Sequence, residues 1–240
     1  VSIHAPARGA TIRLFGFSTH SNMEECLLAA SRLGWIDGIM TTYNYRLMHT
    51  DEMRRAVDAC AKAGIGLTAM KTQGGGPVGT ASEAELQLAG RFVKEGFTPG
   101  QAKLKAVWEN PQIASICSQM PTMALLAENT AAAVNRTRLS AAGREALEEL
   151  AAATAGAYCA GCTRLCEPAV AEGVPVGRVM RYLMYARGYE RADFARARYR
   201  ALPARVRAAL ASADYARAEA LCPRGLPIGR LMAEAAAELA

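Results

Sequence analysis

The sequence has few aromatic residues and no long apolar run, and both absences narrow the classes of protein to consider. Phe, Trp and Tyr make up 6% of the 240 residues, whereas 51% are hydrophobic, which is typical of an alanine-rich helical or α/β protein. No uncharged apolar window of about 18 residues occurs, so we predict no transmembrane helix. The chain also lacks a basic opening followed by an apolar stretch, so we expect no signal peptide and no membrane partner.

Seven cysteines occur, and four of them have the spacing of metal ligands. Cys159, Cys162 and Cys166 lie within YCAGCTRLCEP, and Cys222 is followed directly by Pro223. Closely packed thiolates repel one another, and a metal ion or an iron–sulfur cluster makes such crowding favourable. An odd number of cysteines that includes a ligand-like set indicates a reducing compartment, and we expect a cytoplasmic protein.

The spacing of these four cysteines is close to that of bacterial ferredoxins. In two-cluster ferredoxins the usual run is C-x2-C-x2-C-x3-C-P, and three close cysteines share a [4Fe–4S] cluster with a distant Cys-Pro. Here the second gap is three residues, and the segment ADYARAEALCP has a single cysteine, so the set for a second cluster is missing. We predict one [4Fe–4S] cluster. A zinc ion on the same four thiolates, or ordinary buried thiols, are the alternatives.

Strand-like and helix-like segments alternate in the first part of the chain. The predicted strands are 11–18, 36–43, 65–71 and 113–120, and the predicted helices are 23–33, 51–63, 82–95, 99–109 and 123–134. This alternation predicts βαβ units and a parallel sheet, with ligands bound at the carboxyl ends of the strands. Asn22 or Ser21, and Thr50 or Asp51, are the predicted helix caps. The three remaining cysteines, Cys26, Cys60 and Cys117, are predicted to be core residues.

After about residue 138 the strand signals end. Helices are predicted at 140–155, 176–188, 191–200, 203–211 and 228–239. GVPVGRVMRYL and GLPIGRLMAEA form a weak internal repeat, which suits the pseudo-twofold layout of a ferredoxin-like unit. We therefore predict two domains: an α/β domain over 1–138 and an all-helical ferredoxin-like iron–sulfur domain over 139–240.

Several segments of the first domain resemble aldo-keto reductases. They are IRLFGFSTHS, IDGIMTTYNYR and IGLTAMKTQGGG, together with the pair Glu128-Asn129 after the last strand. The chain resembles most closely the bacterial branch of this family, in which the barrel is fused to a C-terminal ferredoxin-like [4Fe–4S] domain. The resemblance implies that the strands are the later ones of a (β/α)8 TIM barrel. It also implies an oxidoreductase that uses NADP(H) or NAD(H) to interconvert a small carbonyl and an alcohol.

The resemblance implies cofactor contacts at the strand ends. Ser18 and Thr19 match the Ser-Asn pair that holds the nicotinamide carboxamide, and Met40 falls where many members have Gln. The glycine run 74–76 matches the loop near the pyrophosphate, since glycines let backbone N–H groups approach phosphate oxygens closely. The full set of implied cofactor residues is Ser18, Thr19, Tyr43, Lys71, Thr72, Gly74, Gly75, Ser118, Gln119, Glu128 and Asn129.

The sequence has a match for only one of the family's acid–base residues. The family takes a Tyr, a Lys, an Asp and a His from its first four strands, and only His4 in VSIHAP matches, as the catalytic His. About eight residues join His4 to the next strand, whereas a parallel crossover needs about a dozen. We expect a truncated or internally deleted chain, or a barrel completed by something else. The alternative function is a non-catalytic ferredoxin-like electron-transfer or scaffold subunit.

The net charge of +6 is carried by arginine, mostly in the C-terminal third. Nine arginines lie between Arg178 and Arg207, against Glu190 and Asp193. A basic stretch of this kind can bind nucleic acid. No nucleic-acid motif accompanies it, so we predict no nucleic-acid partner. A solvated helix surface is expected, with a docking face for an acidic electron-transfer protein as the alternative.

Overall fold

The computed structural model describes residues 12–77, 92, 95–171 and 173–240. The chain divides into two compact units: unit 1 comprises 1–73 and 100–140, and unit 2 comprises 74–99 and 141–240. The division after residue 140 lies close to the predicted boundary after 138. Residues 74–99, which we predicted in the first domain, group instead with the second, so unit 2 is discontinuous in sequence. In the described ranges, no helix is long and apolar enough to cross a membrane.

Unit 1 is an α/β fold with a parallel sheet, as the alternating pattern predicted. Its described elements are β1 (Gly16–Thr19), α1 (Met23–Ala30), β2 (Gly38–Thr42), α2 (Asp51–Lys62), β3 (Gly66–Met70), α3 (Pro99–Trp108), β4 (Ser115–Cys117) and α4 (Met123–Val134). The four strands are parallel and pair in the order β1-β2-β3-β4. The helix predicted at 82–95 falls mainly outside the described residues.

Among the described residues, one face of this sheet is buried and the other is partly exposed. Consecutive parallel strands joined by right-handed crossovers place their helices on one face. On that face Ile39 and Leu67 are register partners and are almost fully buried. On the other face Ser18, Met40, Thr68 and Ser115 form a row across the sheet, and Met40 is 37% exposed. A singly wound sheet with one partly exposed face fits a portion of a TIM barrel wall.

Local signals explain the ends of α2 but not the start of α1. The Thr50 hydroxyl accepts a hydrogen bond from the Met53 backbone N–H at 3.3 Å, as expected of an N-cap. Gly64 follows α2 with φ +73°, which suits glycine at a helix end. Asn22 occupies the N-cap position of α1, as predicted, but it has a left-handed conformation (φ 49°) and its side chain makes no capping hydrogen bond.

The three isolated cysteines differ in their surroundings. Cys60 is fully buried, and its thiol donates to the Leu27 carbonyl at 3.5 Å, so its core position is confirmed. Cys26 is half-buried. Cys117 is exposed, and its assignment to the core was wrong. It lies on β4, where the side chains alternate between the buried and the partly exposed face of the sheet.

Unit 2 is helical over its described residues, which contain no strand. Its elements are α5 (Ala141–Ala153), α6 (Thr163–Cys166), α7 (Val176–Gly188), α8 (Ala192–Arg200), α9 (Ala204–Ala209), α10 (Ala216–Ala220) and α11 (Ile228–Glu238), with 3-10 turns at Ala155–Ala157 and Glu167–Ala169. The core contains Val179 and Leu183 of α7, Tyr199 of α8, and Leu231 and Ala235 of α11. Leu231 and Ala235 are four residues apart and share one face of α11, which explains the apolar spacing in the sequence.

Candidate metal centre

The four cysteines of the predicted cluster line one cavity in unit 2. Cys159 and Cys162 lie in the loop before α6, Cys166 is the last residue of α6, and Cys222 follows α10. The cavity has a volume of about 20 Å³ and is partly open to solvent. The structure thus brings the distant Cys-Pro to the same place as the three close cysteines.

The other walls of the cavity are mainly apolar. They include Val176 and Met180 of α7, Leu226, and Ile228 of α11, all of which are nearly or fully buried. Apolar walls keep water from a bound group and lower the local dielectric constant. The site therefore combines four soft thiol donors with a mainly apolar lining.

Over the described residues, the four cysteines line one cavity without forming the close ligand set of a bound metal ion. Tetrahedral zinc has Zn–S bonds of about 2.3 Å, which requires sulfurs roughly 3.8 Å apart. Within the described ranges, no group of three or more His, Cys, Asp or Glu side chains is arranged to hold a metal ion.

Burial and repulsion from neighbouring cysteines keep the thiols of Cys159 and Cys166 protonated in the metal-free protein. The pKa of Cys159 is raised to about 12, mainly by burial and in smaller part by the negative charges of the other three cysteines. A backbone N–H of Gly161, which donates to the Cys159 sulfur, opposes this rise. Burial likewise raises the pKa of Cys166 to about 11, with Cys162 as the next cause. A bound cationic centre would reverse these effects, because metal binding releases the protons.

Two carboxylates hold the helices that flank the cavity. Glu167 Oε1 accepts a hydrogen bond from the Gly177 N–H at 3.1 Å, near the start of α7. Glu219 Oε1 accepts one from the Gly229 N–H at 2.8 Å, at the same point of α11. Both helices have a proline at the N-cap, which offers no side-chain acceptor. The carboxylates therefore satisfy N–H groups that would otherwise lack a partner.

The weak sequence repeat is also present in the structure, because the same Glu–Gly contact occurs in both halves. In both halves the glutamate precedes its glycine by ten residues. Gly173 and Gly225 begin the two repeated segments with φ +64° and φ +60°, a conformation that suits glycine. Sequence reasoning missed the two glutamates, although a Glu at a fixed distance before each GVPVG-type segment was a usable signal.

The glycines of the predicted pyrophosphate loop lie in unit 2. Gly74 has φ +64°, and Gly74 and Gly76 are buried, whereas Gly75 is half-buried. In the same unit, Gly75 packs against the Tyr189 ring and Gly76 packs against the Ala157–Tyr158 backbone. Their packing gives a structural reason for the glycine run, and a contact with phosphate stays a prediction.

The remaining predicted cofactor residues lie in unit 1, at or after the carboxyl ends of the strands. At the end of β1, the exposed Ser18 is followed by Thr19, whose hydroxyl donates to the Ser21 carbonyl at 2.7 Å. Lys71 follows β3 with φ 56°, and its carbonyl accepts from Asn44 Nδ2 at 3.1 Å. Just after β1, the side chain of His20 contacts the Thr42 hydroxyl through Nδ1 at 2.7 Å.

Four of the predicted cofactor residues follow β4: Ser118, Gln119, Glu128 and Asn129. Asn129 Nδ2 donates to the Ser118 hydroxyl at 3.2 Å, so these two predicted residues lie together. The Glu128 carbonyl accepts from Gln101 Nε2 at 3.2 Å, and Gln119 is exposed. A hydrogen bond thus connects two of these four side chains, those of Ser118 and Asn129.

Tyr43 and Thr72 are each 2% exposed and are enclosed by protein. The Tyr43 hydroxyl accepts a hydrogen bond from Asn110 Nδ2 at 2.8 Å, and burial raises its pKa. This burial does not favour stacking of the Tyr43 ring on a nicotinamide. The predicted catalytic residue, His4, lies outside the described residues.

Comparison with known proteins adds a structural likeness and no match in sequence. The chain matches no protein family and no curated protein. Among solved structures, it is similar to a thermostable aldo-keto reductase crystallised with the inhibitor epalrestat. The identity is 21% and the TM-score 0.44, and the likeness covers 60% of this chain and 50% of that one. This chain therefore spans about half the length of that protein.

Proposed function

We propose that this chain is an iron–sulfur oxidoreductase whose second unit binds one [4Fe–4S] cluster through Cys159, Cys162, Cys166 and Cys222. The observation that carries the proposal is the single cavity that all four cysteines line. Three of them come from one short segment and the fourth from a distant Cys-Pro, which is the crossed ligand pattern of ferredoxins. The two Glu–Gly helix caps support a ferredoxin-like unit built from two related halves.

Such a cluster, when bound, stores and transfers single electrons. The chain's own residues would hold it and set its surroundings. The Gly161 N–H donates to the Cys159 sulfur and so favours the charged thiolate. The apolar side chains of Val176 and Met180 exclude water from the sulfurs. Because four reduced thiols are required, we place the protein in a reducing compartment such as the cytoplasm.

We further propose that unit 1 is part of a barrel of the aldo-keto reductase type, which binds NADP(H) or NAD(H) and a small carbonyl or alcohol. The support is the resemblance of its strand segments to that family, together with the singly wound parallel sheet. Ser18 and the Ser118–Asn129 pair lie where strands end, and ligands bind at that edge of parallel sheets. Of the acid–base residues, only His4 has a match in the sequence.

A second candidate is an electron-transfer or scaffold subunit without hydride chemistry of its own. One observation favours it: the ring of Tyr43, which the resemblance places at the cofactor, is enclosed by protein. In this case the redox centre of unit 2 would exchange electrons with another redox protein, and unit 1 would serve as a docking surface.

Iron and acid-labile sulfide, measured after anaerobic purification, test the cluster. We expect about four of each per chain. We expect Cys222→Ser to lose the visible absorption and Cys117→Ser to keep it, since Cys117 is exposed and lies outside the cavity. A protein that stays colourless after reconstitution, or that contains zinc instead, contradicts the proposal.

Titration with NADPH and NADH separates the two candidate functions. Binding together with reduction of a model aldehyde supports the enzyme. A redox-active cluster without nicotinamide affinity supports the electron-transfer subunit and contradicts the proposed reaction.

A further inference from the structure

The segment Gly74–Pro77 packs against the backbone that leads into the cysteine cavity. A Cβ atom added to Gly76 would overlap the Ala157 carbonyl oxygen and lie 3.3 Å from the Tyr158 Cα. Tyr158 is 4% exposed, and the next residue is Cys159. Gly76 is therefore in backbone-to-backbone contact with the residues that set the position of the first thiol.

The other side of the segment rests on the end of α7. A Cβ on Gly75 would lie 3.2 Å from Tyr189 Cε2, and a Cβ on Gly188 would lie 3.4 Å from the Gly76 carbonyl oxygen. Arg187 Nη1 donates to the Pro77 carbonyl at 2.9 Å. The segment is thus enclosed between the Ala157–Tyr158 backbone and α7, the helix whose first turns line the cavity.

The guanidinium of Arg187 also fixes the segment to the C-terminal helix. Besides Pro77, it contacts the carboxylates of Glu234 (2.8 Å) and Glu238 on α11. A planar guanidinium presents several donors in a fixed geometry and can hold three acceptors at once. One side chain therefore joins the segment to the helix that begins with another cavity residue, Ile228.

We propose that Gly74–Pro77 is a positioning element of the cysteine site, with Gly76 as the residue that fixes where Cys159 enters the cavity. This inference depends on the proposed cluster, and it assigns the glycine run a role other than phosphate contact. Gly74 and Gly76 are buried, and Pro77 has no N–H, so the segment offers few exposed donors to a pyrophosphate. Its glycines are explained by close backbone packing.

Substitution of Gly76 by Ala tests the proposal, with Gly156→Ala as the matched control. Gly156 lies in the same turn that leads to Cys159, but a Cβ there would meet only the Arg224 carbonyl, at 3.9 Å, so the control is sterically tolerated. Loss of residues that position metal ligands typically costs 10–100-fold, so we expect Gly76→Ala to lose iron to a chelator ~10–100-fold faster than wild type. Gly156→Ala should resemble wild type. The reduction potential of the remaining cluster should also shift in Gly76→Ala alone.

A second variant covers the case in which Gly76→Ala does not fold. Arg187→Lys keeps a positive charge beside Glu234 and Glu238 but loses the fork that reaches Pro77. We expect faster iron loss here too, by a smaller factor than in Gly76→Ala.

The outcomes separate this inference from the proposed function. If wild type and Gly156→Ala load no iron, the cluster itself is refuted, and the inference falls with it. If wild type loads iron and both Gly76→Ala and Arg187→Lys retain it at the wild-type rate, only the positioning role is refuted. Loss of NADPH affinity in Gly76→Ala with unchanged iron retention would assign the glycines to phosphate binding instead and would overturn the inference.

Discussion

Glu167 and Glu219 cap two helices in the same way, so the same substitution can be made at both positions and its effects compared. Of the two capped glycines, only the partner of Glu167 lines the cysteine cavity. Glu167 directly follows Cys166, and its partner Gly177 lines the cavity. Glu219 caps Gly229, which is not among the lining residues. We predict that alanine at either position destabilises the metal-free protein similarly, whereas only Glu167→Ala strongly weakens retention of the cluster.

The magnitude follows from the hydrogen bonds. A hydrogen bond to a charged group contributes roughly 1.5–3 kcal/mol, and a carboxylate at a helix start adds about 0.3–1 kcal/mol. Both carboxylates are half-buried, which favours the lower end of that range. We therefore expect each alanine variant to lose ~2 kcal/mol of the free energy of unfolding. Because misplaced supporting groups typically cost 10–100-fold, Glu167→Ala should release iron at least ~10-fold faster than wild type.

Urea unfolding of the metal-free proteins, followed by circular dichroism, measures the first effect, and iron transfer to a chelator measures the second. Gln at either position keeps an acceptor oxygen and should restore most of the stability. Equal acceleration of iron loss in Glu167→Ala and Glu219→Ala would refute the reasoning, as would wild-type stability in both.

Other predictions concern the buried hydroxyl of unit 1, the cap of α2 and the cavity thiols. Tyr43→Phe should lose ~1 kcal/mol of stability in urea unfolding, because Asn110 loses its acceptor. NADPH affinity should not change in this variant, and a clear loss would place the ring at the cofactor after all. Thr50→Ala should lose ~1 kcal/mol in the same assay by removing the cap on the Met53 N–H, and no loss would contradict the capping role.

In metal-free protein at neutral pH, Cys159 should be alkylated at least ~30-fold more slowly than the exposed Cys117, because a pKa of about 12 leaves little of Cys159 as thiolate. Mass spectrometry measures the two rates, and equal rates would contradict this prediction. Since burial raises the pKa values of Cys159 and Cys166 above the ordinary 9.0, the folded metal-free chain holds these protons more tightly than the unfolded chain. The contribution of these two thiols to the free energy of unfolding should be fully present below about pH 9 and should be lost as the pH rises toward about 12. A urea midpoint that does not fall between about pH 8 and about pH 10.5 would contradict the shifts.

The sequence predicted those helices and strands in which apolar residues recur with a clear period. Helices α4 (Met123–Val134) and α7 (Val176–Gly188) begin and end where the apolar spacing indicated. The parallel sheet followed from the alternation of strands and helices. Helices α6 and α10, which carry or precede the cysteines, span four and five residues and are too short to show a helical period.

What the sequence did not predict depends on contacts between distant residues. The grouping of 74–99 with unit 2 rests on packing such as that of Gly76 against Ala157, which no local pattern encodes. Cys117 looked like a core residue because its neighbours are apolar, but a strand alternates its side chains between two faces, and one face of this sheet is partly exposed. The pairing of Cys222 with the three close cysteines was predictable only because ferredoxins provide a pattern for it.

Native mass spectrometry of the anaerobically purified chain tests the central claim most directly. The account predicts a chain mass increased by one Fe4S4 unit, and the loss of that increase in Cys222→Ser but not in Cys117→Ser. A mass equal to the bare chain after reconstitution, or increased by a single zinc ion, would contradict it.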